Sequence, residues 1–168
     1  MRILRYAVLA ALLVNVAATP GPAGAQSFFN DDSTWKEGDT PPPPGFNPDR
    51  LVAIEMPPFM ALRYGVDPET VSIGADSVVR YVIVATSASG ARNAVYEGIH
   101  CASGRVKTYA RSSGTDWRVA ESSDWRPIGN VPYAHAFARQ GACQGAAPAS
   151  SVRSLLRTLK GTQHEPTS

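Results

Sequence analysis

Apolar residues alternate with polar ones most clearly in the middle of the chain. Residues 77–86 are rich in β-branched side chains, with Tyr81 among them. Asn93 to Cys101 and Arg105 to Arg111 repeat the pattern, so three strands are expected in succession. Ser87 to Arg92 supplies the first connection and Ala102-Ser103-Gly104 a tight second one. Upstream, Leu51 to Met56 is a strand candidate stopped by Pro57-Pro58. Phe59 to Tyr64 extends it after a kink, and Thr70 to Ile73 adds a short strand after the Asp67-Pro68-Glu69 turn. Downstream the period changes. Val152, Leu155, Leu156 and Leu159 form a helical stripe, with Ser150 or Ser151 as cap and Gly161 as stop. A shorter helix is expected from Asn130 as cap, with Pro132 in the first turn and Gly141 at its end. The fold class is α+β: an antiparallel β-meander followed by two short helices. Trp117 and Trp125 are expected over the open end of the sheet.

The register of the second hairpin follows from its turn. With Ser103-Gly104 as a two-residue turn, Cys101 faces Val106, Ile99 faces Thr108 and Glu97 faces Ala110. These residues share one mainly apolar face. His100 with Lys107, Gly98 with Tyr109 and Tyr96 with Arg111 share the other. A tyrosine across from a strand glycine covers exposed backbone. Glu97 then sits on the side to be buried, and a buried carboxylate needs a partner or stays protonated. Pairing Thr86 with Asn93 brings Arg80 diagonally beside Glu97, so a structural ion pair of Arg80 with Glu97 is expected. The alternative, a one-residue slip, sends Arg80 to the opposite face beside the tyrosines.

The first 25 residues have a different character. Arg2 and Arg5 precede an apolar run of 13 residues, Tyr6 to Ala18. At 1.5 Å per residue it reaches about 20 Å, short of a hydrocarbon core of about 30 Å. Pro20 and Pro22 end any helix, and Ala23-Gly24-Ala25 offers small residues at a cleavage site. Residues 1–25 therefore read as a signal peptide, cleaved near Ala25. No cysteine for lipoprotein processing lies near the site, and no twin arginine precedes the run. The expected product is a periplasmic or secreted protein with no transmembrane segment. Residues 26–50 read as an extended acidic, proline-rich arm, 51–161 as one domain and 162–168 as a disordered tail. The run Pro41 to Pro44 makes the arm a stiff spacer. Trp35 is expected to dock on the domain.

Removing Arg2 and Arg5 leaves 14 basic residues against 14 acidic. A neutral chain argues against nucleic acid as a partner. Residues 26–97 hold ten acids and five bases, and residues 98–168 four acids and nine bases. The two halves are expected to attract one another. Only two cysteines remain, Cys101 and Cys143. In an exported chain an even count reads as a disulfide, and two allow one intramolecular pairing.

The motif set resembles the CNP-like family of exported bacterial proteins. The resemblance rests on Ser77-Val78-Val79-Arg80-Tyr81, Ser89-Gly90-Ala91-Arg92-Asn93, Tyr96-Glu97-Gly98-Ile99-His100-Cys101 and Tyr109-Ala110. The Trp35-Lys36-Glu37 arm, the prolines, Trp117 and Trp125 agree with it. It covers most of the mature chain and implies export, with no catalytic residues to transfer.

The chemistry is sparse. There is no G-x-S-x-G elbow, no H-E-x-x-H and no glycine-rich phosphate loop. His100 and Cys101 leave a strand on opposite sides, which argues against a shared metal. No cofactor and no catalytic residue is assigned. A redox role prefers closely spaced cysteines, and here 41 residues intervene. The binding candidate is the aromatic and basic face of Tyr96, His100, Lys107, Tyr109 and Arg111, suited to a glycan or peptide. The competing reading is that another element covers that face. The expected function is a non-catalytic binding or structural module whose partner is an envelope protein or cell-wall component. The alternative is a small envelope hydrolase. A deep polar pocket with His100 or His135 near a carboxylate would favour the hydrolase.

Overall fold

In a computed structural model the described residues are 34–114, 116–121 and 124–162. The proposed signal peptide, the start of the arm and the tail beyond Thr162 lie outside them. Most of the described chain is antiparallel sheet, joined by two short helices and one disulfide.

The sheet takes its strands from β1 (Val52–Ile54), β2 (Arg63–Val66), β3 (Ser72–Ile73), β4 (Val78–Thr86), β5 (Arg92–His100) and β6 (Arg105–Ser112). Two short strands complete it, β7 (Arg118–Val119) and β8 (Arg126–Pro127). The hydrogen-bonded order is β1-β2-β4-β5-β6-β7, with β3 on β4 and β8 on β6. Helix α1 spans Pro132–Phe137 and α2 spans Val152–Thr162. A two-stranded ribbon, β9 (Cys143–Gln144) and β10 (Ala147–Pro148), lies between them.

The centre of the sheet is buried on both sides. Every residue from Val78 to Val84 is buried, because different elements cover the two faces. On the helix face, Val79, Tyr81, Ile83, Val95, Ile99 and Val106 pack with Phe137, Leu155 and Leu159. On the arm face, Val82, Val84, Ala94, Tyr96, Tyr109 and Ala110 form a second core with Phe46, Leu51 and Trp117. Burying one leucine side chain contributes on the order of 1.5–3 kcal/mol. Leu155 and Leu159, both fully buried, thus hold α2 to the sheet.

Three local expectations are corrected. The β5–β6 turn is not a two-residue one. Cys101 to Gly104 forms a four-residue turn, with Gly104 in the left-handed region at φ 60° and its N–H donating to the Cys101 carbonyl. His100 therefore faces Arg105, Ile99 faces Val106 and Glu97 faces Thr108. The shift is two residues, so Glu97 and Ile99 stay on the expected face. A β-bulge then leaves Tyr109 without a partner, and Tyr96 faces Ala110. One extra residue reverses the side-chain alternation. Arg111, opposite Val95, is sent to the helix face, away from Tyr96.

The Arg80–Glu97 pairing is also corrected. Thr86 faces Arg92, one residue from the expected register, and Arg80 faces Gly98 while Tyr81 faces Glu97. The observed register gathers Val79, Tyr81 and Ile83 on the helix face with Val95 and Ile99. Arg80 leaves the sheet on the other side and pairs with Asp76 instead, so its charge is met without Glu97.

The helix ends differ as well. Asn130 belongs to a short 3-10 turn and Val131 precedes α1 without a side-chain cap. Ser151 Oγ does cap α2, accepting from the Ser154 N–H at 3.1 Å, and α2 passes Gly161 to Thr162. After α1 the chain makes a π-type turn through Gly141, whose φ is 147°. A Cβ there would stand 2.8 Å from the Leu155 carbonyl oxygen, so this glycine lets the turn approach α2.

Candidate functional site

Three places gather polar side chains: the arm face, the interior of the helix face, and a cleft at the open end of the helix face.

On the arm face the chain covers itself. Trp35 stacks on the His100 ring at 3.9 Å between centroids and 15° between planes. Its indole N–H donates to the Asp76 carbonyl at 2.9 Å. Two residues on, Glu37 drops its carboxylate into a set of donors. Tyr109 Oη donates at 2.6 Å, Lys107 Nζ at 2.8 Å and Trp125 Nε1 at 3.0 Å. Arg80 lies 3.7 Å away. Burial raises the Glu37 pKa, but the hydrogen bonds from Lys107, Tyr109 and Trp125 outweigh it and leave the group below its usual value. Further along, the Trp117 indole N–H donates to the Pro44 carbonyl at 3.1 Å, and Phe46 meets Trp117 edge-on.

Arg80 belongs to the same face, and its partner is Asp76, four residues earlier. The guanidinium is bidentate, at 3.1 and 2.6 Å. Both side chains are nearly inaccessible. Asp76 also accepts from the Gly38 N–H at 3.0 Å, so the arm is held at both carboxylates. A third acid, the fully buried Asp67, ties Arg50 and the Asn47 N–H to the β2–β3 connection.

The interior of the helix face holds Glu97, which is fully buried. It accepts from Thr108 Oγ1 at 2.9 Å, Tyr133 Oη at 3.0 Å and Tyr81 Oη at 3.2 Å. The nearest guanidinium, Arg126, stands at 3.5 Å and is partly in solvent. Burial dominates here and holds the Glu97 pKa above its ordinary value, against the lowering effect of the Thr108 and Tyr133 hydrogen bonds.

The predicted binding residues separate accordingly. Tyr96, His100 and Tyr109 are buried under the arm and the tryptophans, and Lys107 is half-buried on Glu37. Arg111 is exposed on the opposite face. Tyr109 does lie over Gly98, whose added Cβ would meet the ring carbon Cε2 at 3.0 Å. The expected aromatic surface is thus occupied by residues 35–46 of the same chain. Trp117 and Trp125 pack there too, not over the sheet end.

The cysteines behave as the sequence indicates. Cys101 and Cys143 form a disulfide with Cα atoms 5.7 Å apart, tying the end of β5 to the segment after α1. His100 lies beneath Trp35 with Nδ1 2.8 Å from Ser103 Oγ, and His135 is exposed on α1.

The matched family model covers residues 30–160 and is described as the CNP1-like family. The chain belongs to the CNP1-like family. No curated protein and no solved structure matches it. The CNP1-like stretch starts ahead of Trp35 and ends at Lys160, so the sheet, the disulfide and most of the arm and of α2 fall within it.

One feature of this CNP1-like chain had no strand-pattern signal. A cleft of about 650 Å³ opens where β2, β4, β5, β6 and β7 meet. Its floor holds Ile83, Val95 and the stacked rings of Tyr64 and Tyr133, 4.9 Å apart. Arg111 and Arg118 line it from β6 and β7. The bulge that moved Arg111 creates this site, and a one-residue irregularity leaves no mark on hydrophobic periodicity.

Proposed function

We propose that this chain is an exported, non-catalytic binding module of the cell envelope. The single observation that carries the reading is the contrast between locked and open polar groups. The buried carboxylates Asp67, Asp76 and Glu97, with the arm's Glu37, each engage structural donors, which suits scaffolding. The open cleft offers an aromatic and aliphatic floor with guanidinium groups at its edge, as ligand sites do. The successive strands β4, β5 and β6 support reading the sheet as a meander that makes the floor rigid.

Export is supported by the N-terminal pattern and by the disulfide, which fits an oxidising compartment. Among the described residues no helix is long and apolar enough to cross a membrane. The mature chain should begin at Gln26 and be recovered in the periplasmic or secreted fraction. Intact-mass analysis finding residues 1–25 retained on membrane-bound protein would overturn that part.

Binding is tested by photocrosslinking in intact cells. A photoreactive residue replacing Leu62, on the cleft rim, should capture a discrete adduct. The same residue replacing Arg157, on the exposed side of α2, should not. Equal capture from both positions, or none from Leu62, refutes binding at the cleft.

A further inference from the structure

The cleft's chemistry narrows its ligand, on the reading just given. Arg111 and Arg118 are direct partners across β6 and β7, so both side chains leave the sheet on the same side. Like charges directly opposite each other weaken a sheet. Among the described residues neither guanidinium has an ion-pair or hydrogen-bond partner. The arginines of the packed regions behave differently: Arg50, Arg80 and Arg126 each meet a carboxylate. Glu121 also lines the cleft, and two guanidinium groups outnumber it.

Beneath this cationic rung the surface is apolar. Leu62, a large hydrophobic side chain at 37% exposure, lines the cleft, with Ile83 and Val95 in its floor. Phe59, 83% exposed, projects from the loop that carries Leu62. A cationic pair above an apolar trough matches one ligand chemistry: a single anionic head on an apolar body. The volume falls within the roughly 300–1,000 Å³ of small-molecule sites. We infer that the cleft binds an amphipathic anion. Its head lies between Arg111 and Arg118 and its apolar body lies along Tyr64, Tyr133 and Leu62.

The head can be a carboxylate or a phosphate ester, and calorimetry on the oxidised full-length mature protein separates them. Decanoate and decyl phosphate are titrated below their micellar concentrations, beside decyltrimethylammonium. At least one of the anions should bind saturably, one per chain, and the cation should not. Arg111→Gln with Arg118→Gln should weaken that binding about tenfold or more. Arg118→Glu alone, on an exposed two-residue strand, is the second variant should the first fold poorly. Arg157→Gln should leave affinity unchanged. Absence of binding by either anion, equal binding of the cation, or indifference to the arginine variants overturns the inference. So does association with vesicles of anionic phospholipid without one-to-one binding of monomeric amphiphile. A failure here alongside Leu62-specific crosslinks would leave the binding module standing with another class of ligand.

Discussion

The two faces of the central sheet each bury a glutamate, and they do so by different chemistry. Glu37, on the arm face, is met by an ammonium, a phenol and an indole, with a guanidinium close by. Glu97, on the helix face, is met by three hydroxyls, with its nearest cation partly in solvent. Glu37 accepts four hydrogen bonds, the fourth from Thr40 Oγ1 at 3.3 Å, and Glu97 accepts three, yet their pKa values move in opposite directions. Burial is the largest influence on each. Glu37 retains some exposure and has a cation in contact, so its charged form wins. Glu97 has no exposure and neutral donors, so burial prevails. Satisfying a carboxylate's hydrogen bonds is therefore not the same as stabilising its charge. One face uses charge to hold an arm down, while the other uses hydroxyls to complete a core.

The largest effect should come from breaking the charge pairing on the arm face. Asp76→Ala leaves the buried Arg80 guanidinium without its bidentate partner and should cost about 3–5 kcal/mol. Urea unfolding measures it. A double-mutant cycle should find strong coupling of Arg80 to Asp76 and none to Glu97. Coupling to Glu97 would reverse the assignment of faces.

On the helix face, Cys143→Ser should cost about 2–5 kcal/mol, because the bridge restrains the unfolded chain. Alkylation with mass analysis should find no free thiol in the native protein. Two alkylated thiols would remove the disulfide from the helix-face account.

Glu97→Ala should cost about 1–3 kcal/mol, since the hydroxyls of Thr108, Tyr133 and Tyr81 lose their acceptor. The pH dependence sharpens the comparison. Glu97 has a folded pKa above the ordinary 4.5, so the folded state holds its proton more tightly than the unfolded state. Its contribution is fully present below that ordinary value and is lost as pH rises through the folded pKa. Glu97→Gln should flatten this decline above pH 4.5 in unfolding free energies measured across pH. An unchanged slope would show that Glu97 is not the group responsible.

Glu37→Gln should have the smallest effect, about 1–2 kcal/mol, as a charge-assisted contact is weakened and not removed. The linkage runs the other way. The folded pKa lies below the ordinary value, so the stabilisation is present above it and fades as pH falls through the folded pKa. Limited proteolysis within residues 34–46 should accelerate in Glu37→Gln and, for the native protein, at low pH. Equal cleavage rates at all pH values would mean that the prolines and tryptophans hold the arm without Glu37.

The hydrophobic pattern by itself determined the three long strands, the α2 stripe and the burial of Glu97, and the cysteine count determined the disulfide. Each depends on local alternation, helical period or a pairing with one solution. The family resemblance also came from the sequence, through motifs that the CNP1-like match covers. Tertiary structure decided the rest. Periodicity places side chains on alternate sides of a strand but leaves open how neighbouring strands slide past one another. A one-residue difference between β4 and β5 gave Arg80 to Asp76 in place of Glu97. A bulged Tyr109 sent Arg111 to the opposite face and made the cleft. The arm's Glu37 met its donors across about 70 residues of chain, Lys107 being 70 positions away and Tyr109 72. Contacts at that separation depend on the sheet, because the sheet brings Lys107, Tyr109 and Arg80 to one face.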